Sequence, residues 1–300
     1  VNSRTSYLVL IQDSTELRSS GGFIDTLAYF TLTNSHLASS HYFSTSSLPA
    51  WQKLTRSSEP NFPSFAKEIS QLFTQTTSLP VDYVVALNLS TFQKILEYTG
   101  ALSLPEISDP VSSQNLVSSY LNHLSNTGSK NPFISSLAAA LSSRIHSLPT
   151  STQIEIAYYL LSQFQARQMF ITPISVPWDG SLAPPSCAYS PCSSDFLIPI
   201  ENHIGFNKSS AYITRSATLT KELTDNQIES EYQLTLTNTS SSSAWPAGSV
   251  KNYFQLFLPP DSSIDSVNME HSVSQRPGFN VISLLMDIPP GQTSNLNVRY

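Results

Sequence analysis

Four charged residues lie close together around one turn of a charge-poor sequence. Asp13 follows the apolar run YLVLIQ at residues 7–12, and the stretch ELRSSGGFIDT at residues 16–26 supplies Glu16, Arg18 and Asp25. A guanidinium can grip a phosphate with two parallel hydrogen bonds. Carboxylate oxygens from Asp13, Glu16 or Asp25 can hold Mg²⁺. This combination suits phosphoryl chemistry, in which positioning and charge neutralisation supply most of the catalysis.

The glycine pair Gly21 and Gly22 adds backbone donors to the same turn. Glycine permits positive φ and close approach, so peptide N–H groups there can point at a bound anion. We therefore predict Asp13, Arg18 and Asp25 as the core of a site. A simpler alternative stays open: the glycines only turn the chain, and Arg18 pairs with a neighbouring carboxylate.

A second polar stretch, FNKSS at residues 206–210, extends this prediction. Asn207 and Lys208 could reach the same site from the end of the first domain, or Lys208 could be an exposed lysine in a linker. The six histidines show no metal-binding spacing, and no nucleophile elbow, Walker sequence or dinucleotide fingerprint is present. Zinc hydrolases, serine hydrolases and common nucleotide-binding proteins therefore have no support.

The composition excludes further classes. Only 12% of the 300 residues are charged, the net charge is −6, and the 15 Lys and Arg residues are scattered singly. Without a basic stripe, nucleic-acid binding is not expected. No apolar run is long enough to cross a bilayer, and the sequence lacks an initiator Met, so any N-terminal signal or anchor would lie outside this chain.

The two cysteines lie in SCAYSPCSS. A disulfide between Cys187 and Cys192 would close a small loop and favour an oxidising, extracytoplasmic location. Two free thiols or half of a metal site are the alternatives, but no other Cys and no nearby His would complete a zinc site.

The elements that must position these residues fall into two parts. Residues 7–12 are typical of a buried strand, and VDYVVALN at residues 81–88 is predicted as another strand. Helices are predicted from Pro63, within 91–99 with an N-cap at Ser90 and a stop at Gly100, and over much of 112–167. ALSLPE at residues 101–106 is predicted as a further strand. From about residue 211 the pattern changes to alternating runs, typical of a β-sandwich. We therefore predict domains at 1–210 and 211–300. Because the alternation runs to Tyr300, we expect the second domain to be incomplete.

One helical pattern has two interpretations. Ile154, Tyr158, Leu161 and Phe164 form an apolar stripe that could line an acyl-chain groove. Ordinary packing of a helix against a protein core requires the same pattern.

The order of motifs resembles a bacterial family known as domain of unknown function 4012. The resemblance rests on YLVLIQDSTELRSSGGFIDT, NFP at 61–63, VDYVVALNLSTFQKILEYTGALSLP at 81–105, NPFISSLAAALSSRI at 131–145, WDG at 178–180 and FNKSSAYITRS at 206–216. The strand–helix–strand motif and the acidic loop also resemble the LytR-CpsA-Psr (LCP) envelope enzymes. That likeness implies an α/β/α sandwich here, and the alternating runs from about residue 211 predict an immunoglobulin-like β-sandwich behind it.

The LCP resemblance also implies a function. These enzymes hold a polyprenyl-pyrophosphate glycan with magnesium and transfer it to a cell-wall polymer, and Asp13 and Asp25 match their acidic positions. The chain departs from them at Phe23 and at YFSTSS, where the family has arginines. Two hypotheses follow: a membrane-tethered, extracytoplasmic protein that binds and transfers such a glycan, and a catalytically inactive surface module that keeps the fold.

Overall fold

The computed structural model describes residues 4–34, 36–45, 51, 61–127, 132–165, 168–175, 195–224 and 227–300, with the backbone alone at Asp25. The chain divides into two compact units. The first comprises Val1–Ser14 and Ser20–Asp179, and the second comprises Thr15–Ser19 and Gly180–Tyr300. The short segment Thr15–Ser19 thus belongs to the second unit, although the residues on both sides of it belong to the first.

The first unit is a mixed α/β structure. Its strands and helices are β1 (Arg4–Asp13), β2 (Phe23–Thr33), β3 (His36–Ser44), α1 (Phe62–Thr77), β4 (Tyr83–Asn88), α2 (Leu89–Thr99), α3 (Leu116–Thr127), α4 (Phe133–Ser147), α5 (Thr150–Gln165) and β5 (Phe170–Pro173). The five strands form one sheet in the order β3-β2-β1-β4-β5. β1 is antiparallel to β2 and parallel to β4.

Strand β1 is central because its side chains are buried on both faces. Leu8 and Leu10 belong to an apolar cluster with Phe65, Ile69 and Phe73 of α1. Val9 and Ile11 alternate with them along the strand and are also buried. The carboxyl end of β1, where Asp13 lies, is therefore held in a fixed position.

The predicted helix ends are partly correct. Helix α1 has Asn61 as its N-cap and a proline in its first turn. Helix α2 ends at Gly100, where φ is 76°. The predicted N-cap of α2 at Ser90 is wrong, because the side chain of Asn88 accepts the hydrogen bond from the Thr91 N–H. The strand predicted at 101–106 is reduced to a single bridge between Leu102 and Val111.

The second unit contains two four-stranded antiparallel sheets. Its strands are β6 (Ile198–His203), β7 (Ile213–Leu223), β8 (Ile228–Asn238), β9 (Val250–Leu258), β10 (Ser266–Val267), β11 (His271–Arg276), β12 (Phe279–Ile288) and β13 (Thr293–Arg299), with a short 3-10 helix at Ser209–Tyr212. One sheet has the order β10-β13-β8-β7 and the other β11-β12-β9-β6. Buried residues from both sheets, such as Leu236, Leu256 and Ile282, form one core cluster.

The second unit begins earlier in the sequence than the predicted boundary at 210/211. Strand β6 pairs with β9 from Ile198 to His203, so backbone hydrogen bonds tie it to the second unit. Its sequence, IPIENH, lacks the long alternating pattern that predicts the sandwich strands after residue 211. The mixed α/β class is confirmed, whereas the α/β/α sandwich and the immunoglobulin-like classification stay predictions.

Candidate functional site

The segment Thr15–Ser19 is fixed to the second unit by backbone hydrogen bonds. The carbonyl oxygen of Leu17 accepts from the His203 N–H at 3.0 Å. The Leu17 N–H donates to Ser210 Oγ at 3.3 Å. These bonds bring Glu16 and Arg18 to the end of β6 and the start of the 3-10 helix.

Glu16, Arg18 and Lys208 form a buried ion cluster within the second unit. Glu16 Oε1 accepts a hydrogen bond from Arg18 Nη2, and Glu16 Oε2 accepts one from Lys208 Nζ at 2.7 Å. Arg18 Nη1 donates to the carbonyl oxygens of Leu17, at 3.1 Å, and of His203. The three residues are only 6%, 5% and 8% exposed. The structure therefore brings together three of the residues predicted from the sequence, with both oxygens of the carboxylate engaged by cations.

This arrangement strongly constrains the chemistry of the cluster. Burying a charge is costly unless the charge is paired and hydrogen-bonded, and here one carboxylate serves two cations. Three of the five N–H donors of Arg18 bind protein acceptors, and each oxygen of Glu16 accepts from one cation. A phosphate at Arg18 or Mg²⁺ at Glu16 would therefore compete with partners that the protein itself supplies.

His203 is a buried residue of this region that the sequence did not single out. Its ring Nε2 lies 2.7 Å from Asn207 Oδ1, and its Nδ1 lies 3.2 Å from the Lys251 carbonyl oxygen. Asn207 Nδ2 donates to the Ser249 carbonyl, which turns Oδ1 toward the ring. Both ring nitrogens therefore face oxygens that can only accept, so each of the two contacts requires the ring nitrogen to donate.

Burial lowers the pKa of His203, and the positive charge of Arg18 acts in the same direction. The hydrogen bonds to Asn207 Oδ1 and to the Lys251 carbonyl oxygen oppose this shift. Nothing in the sequence distinguishes His203 from the other five histidines, because its partners come from residues 207, 209 and 251.

Asp13, Gly21 and Gly22 lie in the first unit. Asp13 Oδ2 accepts a hydrogen bond of 2.7 Å from Tyr120 Oη, and both side chains are buried. Gly21 has φ 127°, and a Cβ atom on Gly22 would lie 2.6 Å from the Asp13 backbone oxygen. The glycine pair is thus required where β2 starts close against the end of β1.

The remaining predicted residues lie wholly or partly outside the part of the chain that the structure describes. Asp25 is the extra backbone residue at the register shift, because Ile11 pairs with Thr26 and Gln12 with Ile24, but its side chain is outside the described residues. Cys187 and Cys192 also lie outside the described residues. Among the residues that the structure describes, no group of three His, Cys, Asp or Glu side chains could hold a metal ion.

Residues 2–124 match the family model described as "Protein of unknown function (DUF4012)". This match confirms the resemblance to family DUF4012 over that part of the chain. A comparison with curated proteins finds no match. Within the described parts of the chain, every helix is too short or too polar to span a membrane.

Three solved structures align with 57% of this chain at 12% sequence identity. The transcriptional regulator yvhJ from Bacillus subtilis aligns over 71% of its length with a TM-score of 0.33. The Lin1025 protein from Listeria innocua aligns over 73% with a TM-score of 0.33, and B. subtilis TagV over 75% with a TM-score of 0.36. TM-scores this low do not establish a common fold, and the family model matches residues 2–124 of the 300.

Proposed function

We propose that this chain is a non-catalytic binding or structural module of the cell envelope, located outside the cytoplasmic membrane. The observation that carries this proposal is the occupation of Arg18 by protein partners. Its guanidinium donates to Glu16, Leu17 and His203, and the second oxygen of Glu16 is bound by Lys208. Arg18, the cation predicted to grip a diphosphate, is therefore already bound by groups of the protein.

In this proposal the cluster fastens Thr15–Ser19 to the second unit. A buried carboxylate with two cations gives a strong preference for one arrangement, because either charge left alone would be costly to bury. The missing arginines at Phe23 and in YFSTSS point the same way. The envelope location and membrane tether rest on the resemblance to LCP proteins.

Glycan transfer is a second candidate, favoured by the environment of Asp13. Ligands of α/β proteins commonly bind beyond the carboxyl ends of strands, and Asp13 is the last residue of β1. The backbone carbonyl of Asp13 lies close against Gly22 in the turn that follows. Asp13 and Asp25 would then be the residues to hold Mg²⁺, which would neutralise the charge of a polyprenyl-pyrophosphate glycan.

Titration of the full chain with farnesyl pyrophosphate, with and without MgCl₂, separates the two candidates. Wild type is compared with Arg18→Gln and Asp13→Asn, and circular dichroism establishes that each variant is folded. If the chain is a non-catalytic module, wild type should show no saturable, magnesium-dependent binding of farnesyl pyrophosphate that Arg18→Gln abolishes. Binding that saturates in wild type, requires magnesium and is lost in both folded variants would overturn it in favour of transfer.

A further inference from the structure

Strand β7 lies at one end of its sheet and leaves one edge open. It pairs with β8 residue by residue from Ile213 to Leu223, without a shift in register. Among the strands that the structure describes, β8 is its one neighbour, since the sheet order is β10-β13-β8-β7. Every residue from Thr214 to Leu223 is exposed. A long, regular and uncovered edge strand can pair with a further strand.

The backbone groups of β7 alternate between its two edges. At the hairpin turn the Thr224 N–H donates to the Gln227 carbonyl oxygen at 2.9 Å. Hydrogen-bonded pairs recur at every second residue of an antiparallel ladder, so the even-numbered residues of β7 bond to β8. Consistently, the Ile213 N–H bonds to the Ser210 carbonyl, and the Ile213 carbonyl accepts from Arg215 Nη1. The outward N–H and C=O groups therefore belong to the odd-numbered residues 215–223.

The cations of β7 are neutralised within the second unit. Many natural edge strands carry a charged side chain that an incoming strand would have to bury. Here Arg215 Nε bonds to Glu201 at 2.7 Å, and Lys221 forms an ion pair with Asp195. The strand also contains no proline and no bulge. The usual obstacles to edge-to-edge pairing are therefore missing along β7.

Exposed apolar side chains lie beside the open edge. Leu219 is 41% exposed, Leu223 is 80% exposed, and Ile228, which pairs with Leu223, is 45% exposed. Leu219 and Leu223 are four residues apart on the strand and share one face, and Ile228 lies directly across on that face. A strand added to β7 would therefore bury apolar surface as well as satisfy backbone groups.

The sequence of β7 is complementary to itself in an antiparallel pairing. A two-fold axis beside Leu219 would pair residues 215–223 of two copies and place the two Leu219 side chains opposite each other. Thr218 would then lie opposite Thr220, and the outward backbone groups of the two copies would bond to one another. Because a two-fold contact is closed, it leaves neither β7 edge open.

Neighbouring registers are less favourable. An axis beside Thr218 would set Arg215 opposite Lys221, and like charges directly opposite each other are destabilising. An axis beside Ala217 or Thr220 would pair fewer of the outward backbone groups. In the register described first, every charged residue lies opposite an uncharged one. The charge pattern therefore selects one arrangement of two copies.

We propose that the chain forms a two-fold dimer through β7, in which the sheets of two copies join into one continuous sheet. A second copy is the partner because its own β7 supplies the complementary backbone groups and the opposing leucine, with no like charge opposed. The dimer needs none of the residues of the Glu16–Arg18–Lys208 cluster and does not depend on the proposed module function. One pair of strands is a small interface, so we expect a dissociation constant on the order of micromolar or weaker.

Sedimentation velocity of the full chain from micromolar to millimolar concentration tests the proposal. We expect wild type to show a reversible equilibrium between monomer and dimer. Leu219→Lys places like charges opposite each other at the axis and removes the leucine contact, so it should raise the dissociation constant about tenfold or more. Leu285→Lys, at a leucine 53% exposed on β12 of the other sheet, is the matched control and should dimerise like wild type. Circular dichroism establishes that both variants are folded.

Amide hydrogen exchange, followed residue by residue with NMR, identifies the surface. The odd-numbered amides of residues 215–223 should exchange more slowly as the wild-type concentration rises. The even-numbered amides bond to β8 and should be protected at every concentration.

Three results would overturn the proposal. The first is a wild-type chain that stays monomeric at millimolar concentration. The second is a dimer that folded Leu219→Lys retains, or that Leu285→Lys weakens equally, because the contact would then lie elsewhere. The third is protection of the odd-numbered amides at every concentration, because another segment of the same chain would then cover the edge.

Discussion

Glu16→Gln is the most informative single substitution in the ion cluster. Glutamine has the shape of glutamate, so the substitution leaves no cavity, but it removes the carboxylate that Arg18 and Lys208 share. One amide oxygen can accept from one cation, while the amide NH₂ then faces the other. Removal of one partner from a buried ion pair costs about 3–5 kcal/mol, and we expect the free energy of unfolding of the second unit to fall by that amount.

Thermal unfolding together with hydrogen exchange measures this effect. Because the chain has two units, exchange is followed separately in peptides from β8, β9, β12 and β13. A loss of this size corresponds to a decrease of roughly 10–20 °C in the midpoint of the second unit. Arg215→Gln is the control: it breaks the more exposed pair with Glu201 in the same unit, at 2.7 Å, and should cost about 1 kcal/mol or less.

The comparison with this control decides the interpretation. If Glu16→Gln destabilises the second unit no more than Arg215→Gln does, the cluster does not fasten Thr15–Ser19, and the structural role proposed for it is wrong. If the variant is more stable than wild type, Glu16 is held at a cost to stability. Such a cost is characteristic of binding sites and would refute our reasoning.

Three further predictions concern other buried groups. Burial lowers the pKa of His203 in the folded protein. As pH falls below about 6.5, the unfolded chain therefore binds a proton before the folded protein does, and the free energy of unfolding of the second unit should decrease. In urea unfolding at several pH values, His203→Gln should reduce the slope of this free energy against pH. Gly22→Ala should lower the free energy of unfolding by about 2–3 kcal/mol, because the new Cβ would meet backbone atoms. Gly100 has positive φ but open space around it, so Gly100→Ala should lower it by about 1 kcal/mol. Equal thermal unfolding midpoints for the two variants would contradict this prediction. Tyr120→Phe removes a hydrogen bond to the buried carboxylate of Asp13 and should lower the free energy of unfolding of the first unit by about 2 kcal/mol. A urea unfolding free energy equal to that of wild type would show that this bond contributes little.

The sequence predicts the elements whose signals are local. The start of α1 near Pro63, the end of α2 at Gly100 and the strand at residues 7–12 all follow from side-chain type and spacing. The N-cap of α2 was misplaced because Asn88 and Ser90 are both good capping residues two positions apart. Strand β6 was assigned to the wrong part of the chain because its partner, β9, lies some fifty residues later.

In the candidate site, too, the sequence predicts the local contact and misses the distant one. A pair between Arg18 and Glu16 is a contact between near neighbours, and it was one of the two alternatives open from the sequence. Lys208 joins the same carboxylate from 192 residues away, and no local pattern predicts such a contact. The apolar stripe of α5 is exposed, with Ile154 and Leu161 each 50% exposed, so its interpretation as ordinary core packing is wrong. This exposure also depends on which side of the helix packs, since periodicity describes a face without saying what covers it.

Side-chain nitrogen NMR spectroscopy of Arg18 and Lys208, during titration with inorganic pyrophosphate and MgCl₂, tests the central claim most directly. If the cations are held by Glu16 within the second unit, their resonances should stay in place throughout the titration, and their protons should exchange slowly with water. Saturable shifts of both resonances, with faster proton exchange, would show that the anion reaches them and would contradict the account.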